Sequence, residues 1–156
     1  MPNKSDNAWE CERIRDVLAR YCERLDEYDI DAVAQCFSED AVTDYGAGRG
    51  GEIRGRAAIA KRIATGQSEF RRTHHQLGQV RIRLHDGGAE STSYMMTWHE
   101  LPSGKKDLVC LRYLDHLCQI DGEWLISHRR VEVTLVDGFE GTEWNWVERR
   151  TPKKHD

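Results

Sequence analysis

Asp26, in Arg24-Leu25-Asp26-Glu27-Tyr28-Asp29, and His75, in Arg72-Thr73-His74-His75-Gln76-Leu77-Gly78-Gln79, are the residue types that make a general base. A carboxylate that orients an imidazole lets it take up protons near neutral pH. If the fold brings the two segments together, the chemistry to expect is removal of a proton from carbon. His74 and His75 are adjacent, so on a strand they point to opposite faces and only one of them enters an interior. The residues alone leave that choice open.

Each of the two segments belongs to a recognisable element. Ile14, Val17, Leu18, Tyr21 and Leu25 recur at the i, i+3, i+4 spacing of one helix face, with Asp6 or Asn7 placed to cap its start. Asp26 sits roughly 120° from the centre of that stripe, at its flank rather than its middle. A carboxylate in a last turn also opposes the helix dipole at a cost of a few tenths of a kcal/mol, which hints at a reason other than stability. A second, shorter helix carries Ile30, Val33, Ala34 and Phe37, and Ser38-Glu39-Asp40 then breaks it. Residues 41–45 look like a short strand. Gly46, Gly48, Gly50 and Gly51 form a loop without the Gly-Lys-Ser/Thr ending of a phosphate loop. A third helix is expected over 56–65.

From about Phe70 the period changes to two. Val80, Ile82 and Leu84 alternate with Gln79, Arg81 and Arg83, but on the face that His74 would share. The alternation therefore changes sides beyond Gly78, where a bulge could reset it. Further strands are expected over 89–99, 108–120 and 124–136, the last two joined by the turn signal Asp121-Gly122. The tail after Gly138 holds Trp144 and Trp146, suited to covering the domain or a neighbouring subunit. Helices first and long antiparallel strands after suggest an α+β domain, its helices on one face of a curved sheet with a pocket between. One domain spans 1–156, with a core over about 8–136 and a tail over 137–156.

With 156 residues, 38% of them hydrophobic, the chain suits a single core, and no apolar run approaches a membrane span. A net charge of −4 argues against nucleic acid, because basic clusters such as Arg71-Arg72 and Arg149-Arg150 are interspersed with acids. The first residues hold no apolar stretch suited to a signal peptide. Five cysteines without a CxxC pair argue against disulfides or a zinc ribbon and fit a reducing cytoplasm. The histidines show no HxxxH or HExxH spacing, and no Gly-rich nucleotide fingerprint or Ser or Cys nucleophile motif appears, so neither metal nor cofactor is expected.

Several ordered motifs bear a family resemblance. They are Ile14-Arg15-Asp16 with Tyr21 and Leu25-Asp26-x-x-Asp29, then Ala32-Val33-Ala34-x-x-Phe37-x-x-Asp40-Ala41-Val42 and Gly55-Arg56-x-x-Ile59. Thr73-His74-His75-x-Leu77-Gly78 and Asp121-Gly122-x-Trp124-x-Ile126-x-His128-Arg129 follow. Together they span roughly residues 10 to 134 and resemble the SnoaL-like branch of the NTF2-like superfamily. The resemblance implies a cone-shaped fold, with N-terminal helices packed in a strongly curved, mixed but mainly antiparallel sheet that encloses a pocket. In dehydratase and dehydrochlorinase members a helix-borne Asp supports a His on the first long strand, positions that Asp26 and His75 match. The resemblance thus selects His75 over His74. Arg129 matches a basic residue lining the dehydrochlorinase pocket. Tyr21 matches a catalytic Tyr of the bile-acid dehydratase, where the dehydrochlorinase has Lys, which favours loss of a hydroxyl or enolisation over loss of halide. A His base also points away from ketosteroid isomerase, which uses a carboxylate.

The plainer readings stand beside these. Tyr21 lies on the apolar stripe and suits core packing as well as a pocket. By alternation Arg129 faces away from Trp124 and Ile126, suited either to stabilising negative charge or to a salt bridge. His99, Tyr45 and Trp98 are candidates for contacting substrate; His116 and His128 suit packing or surface roles. The function expected is a cofactor-independent lyase or isomerase acting on a small hydrophobic cyclic or polyketide-like substrate, more a dehydratase than an isomerase, in a homodimer or homotrimer. The alternatives are a noncatalytic ligand-binding protein and a structural subunit akin to the β subunit of ring-hydroxylating dioxygenases.

Overall fold

A computed structural model describes residues 4–139 and 143–150. Helix α1 (Lys4–Asp26) buries Ile14, Val17, Leu18, Tyr21 and Leu25, the stripe read from spacing. It begins at Lys4, so Asp6 lies inside the first turn, where its charge suits the dipole, instead of capping it. The chain reverses at Tyr28, whose φ of 58° is left-handed. Asp29 then caps α2 (Ile30–Ala34), its side chain accepting from the Ala32 amide at 3.1 Å. Phe37, expected on the α2 stripe, instead opens strand β1 (Phe37–Asp44), fully buried. Strand β2 (Glu52–Arg54) escaped the sequence pattern, because three residues are too few to establish a period; it pairs antiparallel with the end of β1. Helix α3 (Arg56–Gln67) follows and buries Ile59 and Ile63.

Four long strands complete the sheet: β3 (Arg72–His85), β4 (Gly88–Glu100), β5 (Lys106–Ile120) and β6 (Glu123–Asp137). The order is β2-β1-β6-β5-β4-β3, antiparallel throughout except for the parallel β1–β6 pair. The α+β class and the mixed, mainly antiparallel sheet are as expected, and the helices pack on its inner face. No helix among the described residues is long and apolar enough to cross a membrane.

Two bulges decide which side chains face inward. On β3 the register shifts between Leu77 and Val80, so Val80, Ile82 and Leu84 are half-buried on the same side as His75 and Leu77. That is the reset the pattern called for beyond Gly78. The second lies where β5–β6 pairing shifts between His116 and Leu117, opposite Ile126 and His128. The extra residue turns Arg129 to the same inner face as Trp124 and Ile126, all three buried. Strict alternation therefore misplaces Arg129.

The described part of the tail lies along β6 where β1 has ended. The Val133 amide donates to Asn145 O at 2.7 Å and the Val147 amide to Val133 O at 2.9 Å. The tail also crosses the glycine loop, where the Gly48 amide donates to Glu143 O at 3.2 Å. A Cβ at Gly48 would lie 2.3 Å from the Glu143 amide nitrogen, so this approach requires glycine.

Candidate active site

Asp26 is the last residue of α1, and its carboxylate reaches across to β3. It accepts three hydrogen bonds there: from Thr73 Oγ1 at 2.8 Å, from the His75 amide at 2.9 Å and from His75 Nδ1 at 2.6 Å. These donors offset the unfavourable helix end. Burial pushes the carboxyl upward, but the hydrogen bonds from His75 and Thr73 outweigh it and hold Asp26 below its ordinary 3.8. With the proton on Nδ1 given to Asp26, Nε2 of His75 is the nitrogen left with a lone pair. His75 is 7% exposed and lines a cavity between helices and sheet. His74, on the other face, is exposed and stays 4.0 Å from the same carboxylate.

The cavity holds a second Asp–His pair that the sequence reading did not assemble. His99 lies opposite Asp107 across the β4–β5 hairpin, and its Nδ1 is hydrogen-bonded to the Asp107 carboxylate. Both residues are buried. The His99 ring stacks on Phe70, centroids 4.4 Å apart, and meets His75 edge-on at 5.5 Å. Burial lowers the His99 pKa below 6.5; the Asp107 hydrogen bond opposes this, while His75 and Arg49 add to the lowering. Asp107 could have been found only from the hairpin register, because it lies eight positions along the chain from its partner, across strand and loop.

Three phenols line the cavity: Tyr21, Tyr45 and Tyr113. Burial raises all three above the ordinary 10.0 and keeps them protonated donors. The Tyr45 hydroxyl and Gln67 Oε1 are buried and make no hydrogen bond among the described residues. Arg129 does not line the cavity. It lies behind Tyr21 and Tyr113, its guanidinium carbon 4.3 Å and 3.9 Å from their ring centroids. Its Nε and one amino group donate to the two oxygens of Asp115, both at 2.7 Å. Trp98 is turned away as well, because Thr97 and His99 occupy the inner face of β4 and alternate residues face out. The structure therefore brings together Asp26, His75, Tyr21, Tyr45 and His99, and leaves Arg129 and Trp98 outside the lining.

At the mouth, Arg49 from the glycine loop sits over Trp144 at 4.8 Å and Phe139 at 5.5 Å. Arg62 of α3 lies over Tyr45 at 5.5 Å. Neither arginine carried a sequence signal, since one falls in a loop and the other on a polar-looking helix face. The enclosed space is about 70 Å³, less than the ~150 Å³ cavity that takes a benzene-sized guest.

An α+β cone with an interior site is one of the frameworks on which small-molecule chemistry recurs. The chain belongs to the SnoaL-like domain family, which matches residues 6–130. No curated protein sequence matches it. Among solved structures, a candidate scytalone dehydratase from Novosphingobium aromaticivorans is similar over 93% of this chain and 97% of its own, with a TM-score of 0.86 and 22% identity. A hexachlorocyclohexane dehydrochlorinase from Novosphingobium barchaimii superposes with a TM-score of 0.76 at 14% identity, covering 91% and 98%. A candidate dehydratase of the NTF2-like family from Streptomyces avermitilis gives 0.72 at 10% identity, covering 80% and 97%. The fold is therefore NTF2-like.

Proposed function

We propose that this protein is a cofactor-independent lyase or isomerase in which His75, held by Asp26, removes a proton from carbon. The observation that carries the reading is the carboxylate–imidazole pair, Asp26 on His75 Nδ1 at 2.6 Å, with the imidazole lining a cavity between helices and sheet. Asp26 fixes the tautomer and stabilises the imidazolium that proton transfer creates. The acidified carbon must be activated by a neighbouring carbonyl or ring, since an imidazole is a modest base.

Tyr21, Tyr45 and Tyr113 complement that base as neutral donors. They suit a carbonyl oxygen gaining charge or a hydroxyl departing with its electron pair. A base that shares its cavity with phenolic donors favours β-elimination of water from a small cyclic or polyketide-like alcohol over simple proton relocation. The fold neighbours named for dehydration and dehydrochlorination are consistent with an elimination. Arg129 then acts from behind, its charge balanced by Asp115 and its guanidinium fixing the rings of Tyr21 and Tyr113.

The test is turnover by His75→Ala against β-hydroxy ketones and cyclohexadiene alcohols, with product followed by ultraviolet absorbance. General-base loss predicts a fall of about 10²–10⁴-fold. A variant as active as the native protein sinks the proposal, and tight ligand uptake without product makes the cavity a binding site instead.

A further inference from the structure

Arg49 and Arg62 have no role in the proton transfer, yet both line the same cavity. Among the described residues neither forms an ion pair. The carboxylates near the cavity are already engaged: Asp26 by His75 and Thr73, Asp107 by His99 and Asp115 by Arg129. Asp107 is close enough to act on the Arg49 charge but makes no ion pair with it. Arg62 spends its Nε on the Arg49 carbonyl oxygen at 3.0 Å, and no hydrogen bond among the described residues takes its amino groups. Burial and the like charge of Arg62 both press the Arg49 pKa downward. Two guanidinium groups that line one cavity and feel each other's charge, neither with an ion-pair partner among the described residues, are stabilised when an anion joins them.

Helix α3 makes room for this. A Cβ at Gly66 would lie 2.6 Å from an amino nitrogen of Arg62. Glycine inside a helix costs about 1 kcal/mol relative to alanine, and here its missing side chain is the space that the guanidinium occupies. Arg49 has its guanidinium carbon 4.8 Å from the Trp144 ring centroid and 5.5 Å from that of Phe139, ring contacts that leave its N–H donors free for a planar anion.

We propose that Arg49 and Arg62 form an anion subsite, and that the substrate taken by the His75 cavity is a cyclic or polyketide-like carboxylate. This rests on reading that cavity as a substrate site, and it replaces a purely hydrophobic substrate with an acid. The arginines anchor the carboxylate at the mouth while the apolar body reaches the histidines and phenols. Anchoring and proton removal are then separate tasks of separate residues.

Binding of aromatic and alicyclic acids, each matched with its primary amide, tests the subsite by calorimetry on the full chain. Benzoate with benzamide and cyclohexenecarboxylate with its amide begin the panel. Acids should bind about 10–100-fold more tightly than their amides, as expected for charge-assisted hydrogen bonds. Arg62→Met and Arg49→Met should abolish that preference, and Arg62→Lys should recover part of it. Gly66→Ala displaces the Arg62 fork without removing it, so it should reduce the preference in a fully folded protein. If no acid is preferred to its amide, or if the variants weaken both equally, the subsite does not exist. His75→Ala separates the two readings: retained acid preference with lost turnover supports both. Retained preference with full turnover overturns the base alone.

Discussion

Replacing Asp26 by asparagine keeps the shape of the side chain and removes its charge, which makes it the most informative single change. The native carboxylate accepts from Thr73 Oγ1, the His75 amide and His75 Nδ1. An amide has one oxygen, so it can serve Oδ1's two donors or Oδ2's one, and its NH₂ then confronts the other set. At least one donor is orphaned, at about 1–3 kcal/mol for a desolvated group. In a chain of this size each kcal/mol moves Tm by about 2–4 °C, so Asp26→Asn should melt about 2–12 °C lower. Turnover should fall by about 10²–10⁴-fold, because Nε2 is no longer kept free of its proton. Nitrogen-15 NMR reads this directly: His75 should be the Nδ1–H tautomer in the native protein and a mixture in the variant. A variant with native turnover and an unchanged tautomer would refute the assignment, whatever its Tm.

Acidification should destabilise the fold in two stages. The His99 pKa is lowered from 6.5, so the unfolded chain takes up a proton that the folded chain resists, and stability declines as pH falls below about 6.5. Asp26, depressed from 3.8, contributes fully above that value and loses its contribution as pH falls through its lower folded value. A melting temperature that stays flat from pH 7 to 5 contradicts the first stage. Arg129→Met should cost about 3–5 kcal/mol in urea unfolding, since it strands Asp115 in the interior, and Asp115→Leu should restore much of it; a loss under 1 kcal/mol would deny the pair its structural part. Burial pushes the Cys22 thiol up to about 12, so Cys22 should resist iodoacetamide at pH 8, while the half-buried Cys11, Cys110 and Cys118 label first in peptide mapping.

Much of the frame was legible because periodicity reports burial: the α1 stripe and the four long strands follow from it, while the Asp121-Gly122 turn follows from its residue types. Asp26 was readable only as a flank residue, and what draws it inward is a set of donors on a strand nearly fifty residues away. Local pattern could not choose between His74 and His75; the bulge after Leu77 explains why, since it breaks the alternation that would have decided. The same physics misplaced Arg129, whose facing depends on a bulge that leaves no glycine or proline as a marker. Asp107, Arg49 and Arg62 were invisible for a different reason. Their meaning lies in cross-strand register and in the return of the tail over the glycine loop, neither of which is encoded nearby.

The parallel pairing of β1 with β6 also bears on how the molecule comes into being. Phe37 lies beside Ile126, so β1 has no partner on that side until the last long strand has been synthesised. The hairpins β3–β4–β5–β6 are local and can zip successively, whereas β1 must close a loop that encloses nearly all of them. During synthesis the apolar face of α1 and the buried end of β1 therefore wait exposed, an interval in which aggregation competes. Assembly of the cavity is correspondingly a late event, because its walls come from both the first helix and the last strand. Slowing translation upstream of β6 should lengthen that exposure, whereas slowing it after β6 should have little effect.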